Sequence, residues 1–416
     1  MKRFLLIICL LAGIVARAQD RPKTGWSFMV LPNLGYSSDT GVMLGAIGDL
    51  FSYGDGSIYP NFLHHAGFAV GYATKGSWYT HLLFESPSLV EGMRLNASAT
   101  YRDAHVSPFY GYNGIASPYN PELDMNRDSR TAWYTNHRRF FRVVATAMGD
   151  LSGPLQWLGG AVFRHVSIRD FDLDKYDSGK SLYLQYREAD LIHADEFGGG
   201  TSLEFKAGLL WDSRDVERAP GKGIYAELYL TGNADLGRWR YNYAQVVAHF
   251  RHYITLAPHW LVFAYHLGLQ HQILGQIPYY NINEIATLSY PYEEQDGLGS
   301  RTTVRGIRYN RIAAAGYAWG NLEFRITPFR LTLWKQHIDL ILNPFMDAAA
   351  ITRPYRLEKQ MDTPYYQALK QPVMLSFGLG AKALINTNIM FSVDVARGLG
   401  NQVGCWTVST ASVFIF

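Results

Sequence analysis

Cysteine is nearly absent from this 416-residue sequence, which has two, Cys9 and Cys405. The first sits in an N-terminal segment that reads as removed on export, so no intramolecular disulfide is expected. An excess of one charge sign is missing as well. Lys and Arg number 38 against 35 Asp and Glu, and Lys2, Arg3 and Arg17 fall in that same N-terminal segment. A near-neutral chain without a basic block is a poor match for nucleic acid, so no nucleic-acid partner is expected. After the N-terminal segment no apolar run approaches the roughly 20 residues of a spanning helix. The sequence also has no G-x-S-x-G, no phosphate-binding glycine loop and no Cys/His metal set. No catalytic residue, cofactor or metal is therefore assigned, and the chain is not expected to be an enzyme. A membrane lipid hydrolase would need a His–Ser pair with an orienting partner, and no local signature of one stands here.

What is present begins at the first residues. Lys2 and Arg3, the apolar run Phe4 to Val15 and Ala16-Arg17-Ala18 before Gln19 read as a signal peptide over residues 1–18. The run is too short to span a bilayer as a helix, and no lipobox precedes Cys9. Aromatics make up 14% of the chain, with 28 Tyr and 10 Trp. That abundance suits aromatic girdles at two membrane interfaces. Segments of about ten residues alternate as half-exposed strands must. Leu203, Phe205, Ala207, Leu209 and Trp211 oppose Ser202, Glu204, Lys206, Gly208 and Asp212. Ala244, Val246, Ala248 and Phe250 oppose Gln245, His249 and Arg251. Ile338, Leu340 and Leu342 oppose His337, Asp339, Asn343 and Asp347, and Ile389, Phe391, Val393 and Val395 oppose Asn388, Ser392 and Asp394.

A soluble sandwich or propeller is the rival, but its strands usually run about 5–6 residues. A tilted strand crossing a bilayer needs about 9–11, and a water-lined lumen accommodates the charged faces without unpaired burial. The expected fold is an all-β transmembrane antiparallel barrel over residues 19–416, with about sixteen strands. The first eight fall near 25–33, 40–51, 62–74, 77–86, 91–103, 138–150, 154–168 and 200–213. The rest fall near 222–233, 240–255, 259–272, 313–327, 336–349, 372–384, 387–397 and 406–416. The longest connections, about 104–137, 169–199 and 273–312, are expected outside the cell and the short turns in the periplasm. His64, His65, His249 and His252 read as lumenal or interfacial polar residues. Glu293, Glu294 and Asp296 read as a solvated acidic loop in preference to a cation site, and the Asn96-Ala97-Ser98 sequon is discounted within a strand.

In the longest loop stands Val304-Arg305-Gly306-Ile307-Arg308-Tyr309. It resembles the VRG-(F/Y) motif on the inward-folded loop of the BamA/TamA-like outer-membrane assembly superfamily, the bacterial surface antigen family. Two-partner secretion translocators belong to the same group. The resemblance implies sixteen strands with this loop between strands eleven and twelve, and a contact from Arg305 to an acidic residue on strand thirteen. Phe345-Met346-Asp347-Ala348-Ala349 stands where the family has F-x-D-x-G, with Ala349 in place of its glycine. Asp347 shares parity with His337 and Asp339, so it faces the lumen. Asp212, Arg214 and Asp215, followed by Pro220 and Gly223, look like the family's D-x-R-D…P-x-x-G hairpin. The closing Ser-Val-Phe-Ile-Phe, with Phe414 and Phe416, looks like the C-terminal signal by which such barrels are handed to their insertion machinery. The likeness covers strands six to sixteen well and the first five loosely.

The resemblance implies a barrel of the bacterial outer membrane that assists insertion or translocation of proteins. The alternative is a gated pore, and a lipid hydrolase ranks third. Outer-membrane lipid and lipopolysaccharide are the expected surroundings. Client outer-membrane proteins or a separate periplasmic partner are the expected proteins, because the strands leave no room for the POTRA domains of family insertases. Arg305 and Asp347 either brace the barrel or hold a gate, and the residues alone leave both open.

Overall fold

The computed structural model describes residues 23–37, 41–59, 61–74, 76–125, 131–170, 181–217, 219–238, 240–286, 297–299, 302–333, 336–357, 363–385, 389–411 and 416. The N-terminal segment read as a signal peptide, the acidic cluster Glu293, Glu294 and Asp296, and Phe414 lie outside them. Sixteen strands follow one another along the chain. They are β1 (Trp26–Ser37), β2 (Gly41–Ser52), β3 (His64–Ala73), β4 (Trp78–Val90), β5 (Met93–Pro108), β6 (Thr135–Ser152), β7 (Leu155–Arg169) and β8 (Gly199–Asp212). There follow β9 (Gly223–Asp235), β10 (Tyr243–Ala257), β11 (Leu261–Gly275), β12 (Gly316–Leu333), β13 (Gln336–Arg353), β14 (Met374–Ile385), β15 (Ile389–Gly398) and β16 (Trp406–Ala411). All pair antiparallel with their chain neighbours in one sheet. Among the described residues the one α-helix, α1 (Leu182–Glu188), is capped by Ser181, whose hydroxyl accepts from the Leu184 amide. Among the described residues no helix is long and apolar enough to cross a membrane.

The two faces of the sheet sort residues by period two. Phe205, Leu209 and Trp211 of β8 are 59%, 45% and 41% exposed on the outer wall, while Ser202 and Glu204 are buried inside. On β10 the buried inner set is Gln245, Val247, His249 and Arg251, and on β13 it is Asn343, Phe345, Asp347 and Ala349. Leu342 and Met346 lie outside. An apolar exterior around a charged interior is the inverse of a soluble protein, and lipid is the solvent that makes it stable. His65 bonds Asp49 at 2.8 Å, and His249 meets His266 at 3.0 Å, ring against ring.

The last strand was expected over 406–416; β16 is described over Trp406–Ala411, and residues 412–415 of that expectation lie outside the described residues. Phe416 is not a strand residue; it lies buried against Tyr253 and His266. Arg325 of β12 donates from Nη2 to the Phe416 backbone oxygen at 2.8 Å, with its guanidinium 5.4 Å from the Phe416 ring. Buried Arg325 thus has both a carbonyl and an aromatic face at Phe416. Among the described residues no ladder joins β16 to β1.

Candidate functional site

The connection from β11 to β12 folds into the barrel, and Arg305 is its deepest fastening. Its Nη2 lies 2.8 Å from Asp347 Oδ1, and its Nε donates to Asp347 Oδ2 at 2.9 Å. The Arg305 backbone amide donates to the same Oδ2 at 2.9 Å, and Nη1 donates to Glu323 Oε1 at 2.8 Å. A planar fork with two carboxylates fixes direction as well as distance. The guanidinium also stacks on Phe345, 3.4 Å from the ring centroid. Asp394 of β15 stands 3.7 Å from Nη1 and is itself held by Lys382 of β14 at 3.2 Å, while Arg325 lies 3.3 Å from Glu323. Three cations and three carboxylates on four strands and one loop thus compensate one another, as buried charge requires.

Local sequence makes room for this arrangement. Gly306 has φ +77°, and a Cβ there would press on the Gly398 amide 2.6 Å away, so the chain can pass β15 only as glycine. Its amide donates to Thr407 Oγ1 at 3.0 Å and its carbonyl accepts from the Cys405 amide at 2.8 Å. Val304 and Ile307 are buried with Ala349, Tyr317 and Trp319, so the alanine in the glycine position of the F-x-D-x-G pattern packs against the loop itself. Gly378 on β14 faces Phe345, and a Cβ on it would overlap both that ring and the Val395 carbonyl. Gly378→Ala should lower stability by about 1–3 kcal/mol by overpacking, read as a lower denaturation midpoint in detergent. Gly232, with open space at its Cβ, is the control that should stay near the parent.

A second fastening has no motif. Glu284, at the start of the same loop, bonds Arg142 Nη1 of β6 at 3.0 Å and pairs with Arg164 Nε of β7. Arg164 is buried between Glu284 and Glu204, 3.5 Å away. The loop touches the wall between these points as well. The Ala286 carbonyl is 2.9 Å from His249 Nε2, Gln270 donates to the Glu284 carbonyl at 2.8 Å, and Asn321 Nδ2 donates to the Thr303 carbonyl at 2.7 Å. Beside Glu284 a cavity of about 30 Å³ is lined by Arg102, Arg138, Arg142 and Asn310, which is space for a water or two. The signal missed in the sequence was on the wall: Arg142 and Arg164 are direct cross-strand neighbours on the lumenal face, and such a pair needs an anion between them.

The long connections close over this end as an aromatic lid. Phe109, Tyr112, Tyr183, Tyr186, Tyr279 and Tyr355 pack in one buried cluster. Arg311 ties the inward loop to it by donating to the Gly114, Ser117 and Gln402 carbonyls at 2.8, 2.7 and 3.0 Å. Glu196 is buried among these rings, accepting from the Tyr279 amide at 2.9 Å and the Tyr355 hydroxyl at 3.4 Å. Burial pushes its carboxyl up to about 7, and neighbouring Asp195 adds to the rise. A raised folded-state value means the stabilising contribution is full below the usual 4.5 and is lost as pH climbs through about 7. At pH 8 the charged form should cost the lid roughly 3 kcal/mol. Glu196→Gln is expected to abolish that dependence, read as amide exchange or protease cleavage of the lid between pH 6 and 8. An unchanged pH profile in the variant would contradict it.

The other motif residues do different work. Arg214 grips Asp212 at 2.7 and 2.9 Å and lies over Tyr225. Asp215 Oδ1 accepts from the Val216, Gly221 and Lys222 amides, closing the β8–β9 turn. The structure keeps this hairpin apart from Arg305, and its link inward is the Pro220 carbonyl, 3.4 Å from Arg325 Nη1.

Comparison with known proteins agrees with the fold. The model of the Omp85 superfamily domain matches residues 64–387. A crystal structure of BamA from Haemophilus ducreyi lacking POTRA domains 1–3 superposes with TM-score 0.55 at 16% identity, over 94% of this chain and 71% of that one. CdiB from Escherichia coli superposes with TM-score 0.53 at 12% identity, covering 95% of this chain and 62% of CdiB. CdiB from Acinetobacter baumannii gives TM-score 0.53 at 10% identity, and this chain spans 59% of its length. Among curated proteins none matches the sequence.

Proposed function

Because the chain belongs to the Omp85 superfamily, we propose that it inserts or translocates other proteins at the bacterial outer membrane, without covalent chemistry. The observation that carries this reading is the seam. Among the described residues β16 is paired with β15 and not with β1, and Phe416 lies inward beside Tyr253. The β1 strand offers its other edge over twelve residues from Trp26. A strand edge with unspent amides and carbonyls is a template for an incoming strand. In this reading the inward loop seals the lumen, the long-loop lid faces outside, and the client enters the membrane sideways along β1. An N-terminal signal peptide cleaved before Gln19 delivers the chain, and lipid and lipopolysaccharide contact its apolar wall.

A photo-crosslinking residue at Phe28, exposed on β1, tests this against one at Phe205, exposed on β8. Client barrel strands should be captured at position 28 and not at 205. Equal capture at both, or capture at neither while a steady ionic current flows, would favour the pore reading.

A further inference from the structure

On the outer wall, away from the inward loop, Asp103, His105 and His137 stand together with their ligand atoms all within 4.8 Å of one another. Asp103 and His105 are alternate residues of β5, and His137 is the third residue of β6, so strand pairing sets their spacing. The face is fixed by register. Asp103 pairs with Trp78 of β4 and Arg139 of β6, and Trp78 is 46% exposed beside Tyr101. The cluster therefore stands just beyond an interfacial aromatic pair, towards the long-loop end, where membrane aromatics give way to polar surroundings.

We propose that these three residues form a binding site for a first-row divalent metal ion such as zinc. His137 Nε2 lies 2.5 Å and His105 Nε2 3.7 Å from the same carboxylate oxygen, Asp103 Oδ1. Tetrahedral zinc with bonds near 2.0 Å holds its ligand atoms about 3.3 Å apart, so small rotations of the half-buried His137 ring and the exposed His105 ring reach that spacing. The two imidazoles stack with centroids 4.3 Å apart and planes at 27°. In that pose both Nε2 atoms turn to one oxygen, an arrangement a shared cation satisfies better than a single proton. The other carboxylate oxygen is occupied, since Arg139 Nε donates to Asp103 Oδ2 at 3.0 Å. That bond holds Oδ1 towards the rings, the part a supporting group plays around a ligating carboxylate. Two imidazoles and one carboxylate suit zinc, nickel, copper or iron better than calcium or magnesium. The His105 side chain is 48% exposed, so a fourth position opens outward for an oxygen ligand.

The site is separate from the lumen, and its test does not depend on insertion activity. Zinc titrated calorimetrically into the folded barrel in detergent should occupy one equivalent of sites that His105→Ala or His137→Ala weakens at least tenfold. Arg139→Gln removes the bond that holds Oδ1 towards the rings and should weaken that site severalfold. His165→Ala, at an exposed histidine of β7 bonded to Thr201 of β8, should leave it unchanged. X-ray absorption of the loaded protein should show two imidazole nitrogens on the metal. Heat-modifiability on gels confirms that each variant is folded, and His105, being exposed, can be replaced without disturbing the wall. Absence of the one-equivalent site, or equal affinity in parent and His105→Ala protein, overturns the assignment. An equal loss in His165→Ala does so too.

Discussion

Arg305→Ala should lower the stability of the barrel by about 3–5 kcal/mol, seen as an early denaturation midpoint in detergent. The size follows from what would remain. Asp347 and Glu323 are each fully buried, and both take hydrogen bonds from the guanidinium. Truncation leaves Asp347 without its partner, and Glu323 with Arg325 alone, in a place water reaches poorly. Asp347→Ala is less symmetric, because Arg305 keeps Glu323 at 2.8 Å and Asp394 at 3.7 Å. The two substitutions combined should cost clearly less than the sum of the singles, since the second removes a charge that the first orphaned. Arg305→Lys should fall between, because a point charge cannot reproduce the fork on Asp347. A loss under about 1 kcal/mol for Arg305→Ala would mean that the lumen is wet enough to screen the cluster, as surface pairs are screened.

Glu284→Ala should have the next largest effect, and it should be electrical before it is thermodynamic. It leaves Arg142 and Arg164 facing one another across β6 and β7 with Glu204 as the remaining carboxylate near Arg164. The near half of the loop then loses its anchor while Arg305 still holds the far half. Each single variant should therefore show brief current steps in a planar bilayer. Arg305→Ala combined with Glu284→Ala should show a steady current, because both ends of the plug are free. A double variant as silent as the parent would show that the lid, with Arg311 on three carbonyls, seals the barrel without the loop's ion pairs.

The strand plan could be read from the sequence because it is a local property. Alternation along β8, β10, β13 and β15 identifies the lipid face residue by residue, and a strand one residue out of place would put Glu204 or Asp394 into lipid. That is why expected and observed strands agree to within a few residues except where a ladder runs on. β5 continues to Pro108 into a long connection, and β12 continues to Leu333 into the short turn before β13. Phe416 meets Arg325, ninety-one positions away in sequence, inside the barrel. No local pattern announces a contact of that separation.

The site divides the same way. Asp347 could be placed in the lumen from parity alone, but its partner Arg305 came from a family resemblance, since a loop has no period to count. Glu284 belongs to no motif and shows only through the paired arginines that need it. Asp103, His105 and His137 are separated by a loop whose return register cannot be counted, so their meeting appears only once β5 and β6 are paired. Residues that share one strand were legible; residues that meet across the lumen or between strands were legible only where charge balance or kinship supplied the missing distance.

The most direct measurement is the rate at which an unfolded outer-membrane barrel protein acquires its folded, heat-modifiable form in liposomes containing this protein. Insertion should proceed at least about tenfold faster than in empty liposomes of the same lipid, with no steady ionic current through the bilayer. Insertion at the empty-liposome rate, together with a steady current through the parent barrel, would contradict the account and leave a pore.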